Sequence, residues 1–291
     1  MEGDLQSKNG ARRMSLEATT QIVAIDVHAH YGTYHRDGNS DLTNGFVSGS
    51  AAEVVRRAKA LNVGTTIASP LLALLPRGKA DTCQGNRDAA EVVSETHGLL
   101  QWVVINPLQP DSYQQAAEML QSPKCVGIKL HPEEHVYPIT EHGNALFDFA
   151  AQHDAVVLVH SGDPYSWPAD FIPFANRHSN ITLLLAHLGN GGGATGDPEL
   201  QVRAIQQSKH ENVIVDTSSA RSLAPGLLEW AVREVGADRI LFGTDTPLYH
   251  TAMQHARIVH ADIDDEAKRL ILRGNAERVW SPELFEGNST C

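Results

Sequence analysis

The chain is short of cysteine, of positive charge and of long apolar runs, and each shortage excludes a class of protein. Its three cysteines, Cys83, Cys125 and Cys291, are odd in number and widely spaced in 291 residues. They form neither a disulfide framework nor a zinc–thiolate pattern, and all three read as reduced, structural residues. Lys and Arg number 23 against 35 Asp and Glu, a formal charge of -12. Such a surface repels phosphates, which excludes a nucleic-acid partner and favours a small-molecule one. No run approaches the ~20 apolar residues of a membrane span, so no membrane partner is expected. The first nineteen residues are polar and unlike a secretory signal, and they read as a flexible leader over 1–19 of a cytoplasmic protein. Asn288-Ser289-Thr290 fits the glycosylation pattern, which has meaning only in a secreted chain. With no Pro/Ser-rich linker and no shift of composition, 20–291 reads as a single domain, and homo-oligomerisation is left open.

What is present is a regular alternation. Strand-like runs fall at 22–28, 63–69, 100–106, 125–131, 155–160, 181–187, 212–217 and 239–244. Runs such as VVLVH and ITLLLAH are almost continuously apolar, as expected of a parallel sheet buried on both faces. Between the runs lie segments of helical period. One follows Ser50 with Glu53 as a capping box, one is opened by Asp197-Pro198, and one is closed by Gly236 after Val235. Eight alternations of strand and helix with a 42% apolar composition predict a closed (β/α)8 TIM barrel, with an open doubly wound sheet as runner-up.

The polar residues gather at the ends of these runs, where such a barrel carries its active site. His28 and His30 share a strand face, with Ile25 and Val27 pointing to the other. The same counting aligns Leu158 with His160, Leu183 and Leu185 with His187, Leu241 and Gly243 with Asp245, and Gly127 with Lys129 and His131. Imidazoles with a carboxylate suit Zn²⁺ or a similar divalent ion, leaving a position for water whose pKa falls from ~16 towards ~7. Asp245 has a competing reading, since an aspartate before Thr-Pro commonly starts a turn. Lys129 reads as a cation for a substrate carboxylate or as the partner of Glu133, and His131 as a cavity residue or as the start of the Pro132 loop. His135 and Tyr137 in the following loop are candidates to face substrate, and Arg77 and Arg221 to clamp a carboxylate.

In series, Asp-Val-His-Ala-His, Gly-Ile-Lys-Leu-His-Pro, Val-His-Ser-Gly, Ala-His-Leu-Gly, Leu-Phe-Gly-Thr-Asp-Thr-Pro and the closing Asn275-Ala276-Glu277-Arg278-Val279-Trp280 resemble the amidohydrolase superfamily. The nearest branch is the one that includes aminocarboxymuconate-semialdehyde decarboxylase, and the resemblance runs from residue 22 to 280. It implies one metal held by His28, His30, His160 and Asp245, with His187 as the catalytic histidine beside it. By the same analogy Asp245 accepts the proton of the activated water while His187 orients that water or stabilises developing charge. Some branches carry a carboxylated lysine between two metals, whereas this one is usually mononuclear, so Lys129 is expected to be unmodified. The implied activity is hydrolysis of a small lactone, amide or ester, with decarboxylation of an aromatic or unsaturated carboxylate as the alternative. Gly191 to Gly196 also fits the dinucleotide pattern GxGxxG, with Asp216 at the end of the next strand as its acidic residue. Its distance from the preceding strand and the delaying Pro198 favour a loop over the site instead.

Overall fold

The computed structural model describes residues 16–193, 195–219 and 224–286. Arg221, Cys291 and the Asn288 sequence lie outside the described residues, as does the leader up to residue 15; the leader's end is helical over Leu16–Thr20. Eight strands, β1 Ala24–Tyr31, β2 Val63–Pro70, β3 Leu99–Val104, β4 Cys125–Leu130, β5 Val157–His160, β6 Leu183–Ala186, β7 Val213–Asp216 and β8 Ile240–Leu241, stand in chain order in one parallel sheet. The sheet closes through the segment after β8. Val27 N–H donates to Phe242 O at 2.9 Å, Asp245 N–H to His28 O at 2.7 Å, and His30 N–H to Thr246 O at 2.7 Å. Those bonds decide for the (β/α)8 barrel against the open sheet.

Burial on both strand faces produces two concentric cores. Ile25, Val27, Ile67, Leu100, Trp102, Leu158, Leu184, Ile214 and Leu241 fill the lumen. Val103, Ile128, Leu130, Val157, Val159, Leu183, Leu185 and Val215 point outward against the helices. Trp102 plugs the lumen and donates its Nε1–H to Val27 O at 2.9 Å, so the barrel floor below the site is packed rather than hollow.

Strict alternation fails at two places. Ile25 and Val27 do not point away from the lumen as expected: they fill it, and His28 and His30 face inward as well. The register of β1 against β2 slips between Asp26 and Ala29, and such an irregularity re-aims the residues that follow it. Leu183 and Leu185 likewise pack outward, not beneath His187, because β6 ends at Ala186 and His187 lies past the last regular residue. The alignments of Leu158 with His160, of Leu241 and Gly243 with Asp245, and of Lys129 with His131 hold.

The helical segments begin and end largely where their capping residues direct. Ser50 and Glu53 form the reciprocal box that opens Ala51–Lys59, and Gly236 closes Leu227–Val235 at φ +86°. Asp197 does not cap the helix Leu200–Ile205 as expected. Its Oδ1 accepts Glu199 N–H at 2.8 Å, and the helix begins at Leu200. The glycine run before it is a matter of space, since a Cβ on Gly191 would lie 1.9 Å from Asp197 O and one on Gly196 1.7 Å from Gly191 O. Among the described residues no helix is long and apolar enough to cross a membrane.

Candidate metal centre

At the C-terminal ends of the strands a cavity of about 240 Å³ is lined by His30, Lys129, His131, His160, His187 and Asp245, among others. Strand β1 delivers His28 and His30 from below, and the segment after β8 delivers Asp245 opposite them. Asp245 Oδ1 is 3.1 Å from His30 Nε2 and 3.6 Å from His28 Nε2. An ion with bonds of about 2.1 Å spaces tetrahedral ligands by about 3.4 Å, so these separations already match two edges of a coordination polyhedron. His28, His187 and Asp245 also offer donor atoms that all lie within 4.8 Å of one another. The residues present fit a divalent cation.

Each of these imidazoles is held by its other nitrogen. His28 Nδ1 donates to Asp216 Oδ2 at 2.8 Å, and His30 Nδ1 to Ser69 O at 3.1 Å. His187 Nδ1 donates to Ser218 O at 2.6 Å, a carbonyl that can only accept. The Nε2 lone pairs are thereby turned to the cavity, as a metal ligand requires. Ser218 Oγ sits between the rings, 2.9 Å from His28 Nδ1 and 2.7 Å from His187 Nδ1, and donates to Asp216. Gly243 leaves the room for this cluster, for a Cβ there would press on His28, Ser218 and Asp216 at 3.0 to 3.2 Å.

Electrostatics complete the donor set. Burial drives His28 well below the ordinary imidazole range, with the Lys129 charge adding to it, and burial takes His187 down to about 3 although Asp245 opposes. Both rings are neutral. Burial acts against the Asp245 carboxylate, but His187, His30 and Lys129 outweigh it and keep it ionised, below its usual range. Lys129 is fully buried and donates to His28 Nε2 at 2.9 Å. Burial lowers its ammonium to about 8, against the pull of Asp245 and Asp216. Its pairing with Glu133 is not made, and Lys129 stands instead as the protein's own cation within the donor set.

Asp245 fills both of its readings: its carbonyl accepts Leu248 N–H at 3.0 Å to start the turn, while its carboxylate faces the histidines. Its φ of +55° is one that aspartate tolerates better than most residues. His131 likewise caps the helix Pro132–His135 and lines the cavity. His160 reaches the cavity, yet it presents Nδ1 to His187 Nε2 at 3.1 Å and Nε2 to Asp163 at 2.8 Å. Tyr137 is not brought to the site: it is packed in the outer core beside His142. His135 is spent on Ala73 O at 2.9 Å, and Arg77 on Glu133 and Glu134.

Several site residues escaped the sequence reading or, like Asp216, entered it only as the acid of the dinucleotide pattern. Asp216 and Ser218 sit beyond the last apolar residue of β7, and Asp216 ends an apolar run as the metal-side residues do, which was the available signal. Asp163, Asn190, Arg36, Tyr34 and Tyr249 come from loops whose approach to the cavity has no local sequence pattern.

A comparison with curated proteins gave no match. Solved structures of similar fold include 2,6-dihydroxybenzoate decarboxylase from Rhizobium, at 15% identity and a TM-score of 0.68 over 89% of this chain and 99% of that one. A dihydroxybenzoic acid decarboxylase from a Polaromonas species, with bound manganese and the inhibitor 2-nitroresorcinol, gives 16% and 0.68 over 89% and 97%. A candidate 2-pyrone-4,6-dicarboxylic acid hydrolase from Pseudomonas putida gives 15% and 0.64 over 91% and 98%. At such identities they share a fold with this chain. The amidohydrolase family model matches residues 25–281, and the chain is a member of the amidohydrolase family.

Proposed function

We propose that the protein is a metal-dependent hydrolase of a small lactone, amide or ester, with one ion held by His28, His30, His160 and Asp245 and with His187 beside it. The observation that carries this reading is the His187 Nδ1–H donated to Ser218 O at 2.6 Å. A neutral His187 so fixed keeps Nε2 as an acceptor, a lone pair that His160 Nδ1 approaches at 3.1 Å and that suits accepting a hydrogen bond from water better than delivering a proton to a substrate carbon. A divalent ion bound there supplies Lewis acidity, polarising a carbonyl and acidifying a water molecule. The all-nitrogen-and-oxygen donors, rich in histidine, favour Zn²⁺, although the Polaromonas structure holds manganese.

The chain's own residues divide the remaining work. His187 Nε2 orients the water, and the ionised Asp245 takes its proton as the water oxygen bonds to the carbonyl carbon. Asp245 then returns that proton to the departing alkoxide or amine as the C–O or C–N bond breaks. Lys129, unmodified, holds a substrate oxygen as a cation. Tyr137 and Arg221 are given no part here.

A decarboxylase is the second reading. Leu71, Leu74, Leu75 and Leu248 line the cavity together with Tyr34 and Tyr249, an apolar lining suited to an aromatic ring, and dihydroxybenzoate decarboxylases share the fold. Screening lactones, amides, esters and unsaturated carboxylates in oxygen-labelled and deuterated water separates the two. Label in a newly formed carboxylate is expected. Release of CO₂ with deuterium on carbon and no oxygen incorporation would refute hydrolysis.

A further inference from the structure

His30, His131, His160 and His187 all line the cavity, and they do not use their ring nitrogens alike. His30 Nδ1 donates to Ser69 O, His187 Nδ1 donates to Ser218 O, and His160 Nε2 meets Asp163 Oδ2 at 2.8 Å. His131 is arranged the other way. Its Nδ1 accepts Glu134 N–H at 3.3 Å and so caps the short helix Pro132–His135. A backbone N–H can only donate, so this nitrogen carries no proton and Nε2 does. Turning the ring over would put a carbon where the acceptor is needed. No described residue accepts the Nε2–H of His131.

The ring is also held in its plane. It lies against His160 with 10° between the planes and 4.2 Å between the centroids, two residues beyond Lys129 and just past the end of β4. Burial drives its imidazolium well below the ordinary range, with the charges of His160 and Lys129 adding to it, so the ring stays neutral. We propose that His131 is a further catalytic residue, whose Nε2–H donates to the carbonyl oxygen of the substrate and to the oxyanion that forms from it.

The chemistry of this step rests on the hydrolase reading above. As the water oxygen bonds to the carbonyl carbon and Asp245 takes its proton, the π pair of the C=O bond moves onto oxygen. His131 Nε2–H holds that oxygen while the charge builds, and until the pair returns and expels the alkoxide or amine. His131 itself gains and loses no proton. Because charge on the oxygen is greatest in the tetrahedral state, the bond is strongest there, and removing one such donor costs about 10²–10³ in turnover.

Two substitutions divide the functions of the ring. His131→Asn keeps an acceptor near Nδ1, and with it the helix cap, but does not reach the Nε2 position; His131→Gln reaches that position with an N–H and gives up the cap. The probe is phenylphosphonate, a tetrahedral oxyanion whose ring suits the lining of Leu71, Leu74, Leu75 and Leu248, titrated by calorimetry into the zinc-loaded full-length protein. His131→Asn should weaken binding by about 10- to 100-fold, the worth of a hydrogen bond to a charged group. His131→Gln should restore most of it, and neither should change zinc content or circular dichroism. For any compound that the wild type hydrolyses, kcat should follow the same order with KM nearly unchanged. No binding by the wild type, or equal affinity in the wild type and His131→Asn, would overturn the proposal. So would His131→Asn binding better than His131→Gln, because that order marks a capping role. A protein that binds the phosphonate in the expected order but hydrolyses nothing would sink the hydrolase reading and leave His131 as a donor to substrate oxygen.

Discussion

Replacing Asp216 by asparagine isolates what the carboxylate behind His28 contributes to the metal centre. Asp216 accepts on both oxygens: Oδ2 from His28 Nδ1–H at 2.8 Å, and Oδ1 from Ser218 N–H at 2.9 Å and from the Ser218 hydroxyl. An amide cannot reproduce this. In either orientation its NH₂ meets a donor, so His28 loses its partner or Ser218 loses two. The group is fully buried, so bulk solvent does not reach the donors left unpaired. Partners that orient a ligating histidine are worth about 10–100-fold in metal affinity, or about 1.4–2.7 kcal/mol. The penalty should also depend on pH. Burial raises the Asp216 carboxyl to about 7, against the bonds from Ser218 and the charge of Lys129. At pH 8 the wild-type carboxylate is charged and the variant's deficit is largest; at pH 6 the wild type is itself mostly protonated and the deficit shrinks. Zinc affinity measured by chelator competition at both values checks this. A variant within twofold of wild type at pH 8, under conditions where His28→Asn abolishes binding, would refute the argument.

Three further outcomes are expected. His187→Asn should keep the bound ion and lose turnover by about 10²–10⁴; a folded variant without that ion would make His187 a ligand. Lys129→Met should bind zinc at least as tightly as wild type, because it removes a cation 2.9 Å from His28 Nε2, and a tenfold loss in titration would instead favour a lysine that bridges metals. Asp26, fully buried, has its carboxyl raised by burial to about 8 against bonds from Thr244 and His28. A raised acid stabilises the fold below its unfolded pKa of about 3.9 and loses that contribution as pH rises towards 8, at most about 1.4 kcal/mol per unit. Asp26→Asn should therefore flatten the decline of urea midpoints between pH 5 and 8, and parallel slopes in the two proteins would exclude this origin.

The barrel was legible in the sequence because its determinants are local. A strand buried on both faces must be apolar throughout, a helix against it must repeat its apolar positions every 3.6 residues, and caps such as Ser50 and Gly236 mark its ends. The histidines and Asp245 were legible for the same reason, each standing where an apolar run stops. The loops were less legible, since Tyr137 shares the polar character of its neighbours yet packs into the outer core.

Which way the end residues face was decided elsewhere. Alternation assumes an unbroken ladder, and pairing with β2 slips within β1, so Ile25, Val27, His28 and His30 all turn inward. That slip belongs to two strands nearly forty residues apart and leaves no trace in either sequence alone. The nitrogens that His28, His30 and His187 offer were likewise set by Asp216, Ser69 and Ser218, which only barrel closure brings behind them. Composition and period fix which segments are buried; the tautomers, charges and ligand distances of the site come from groups far apart in the chain, and depend on the closed barrel.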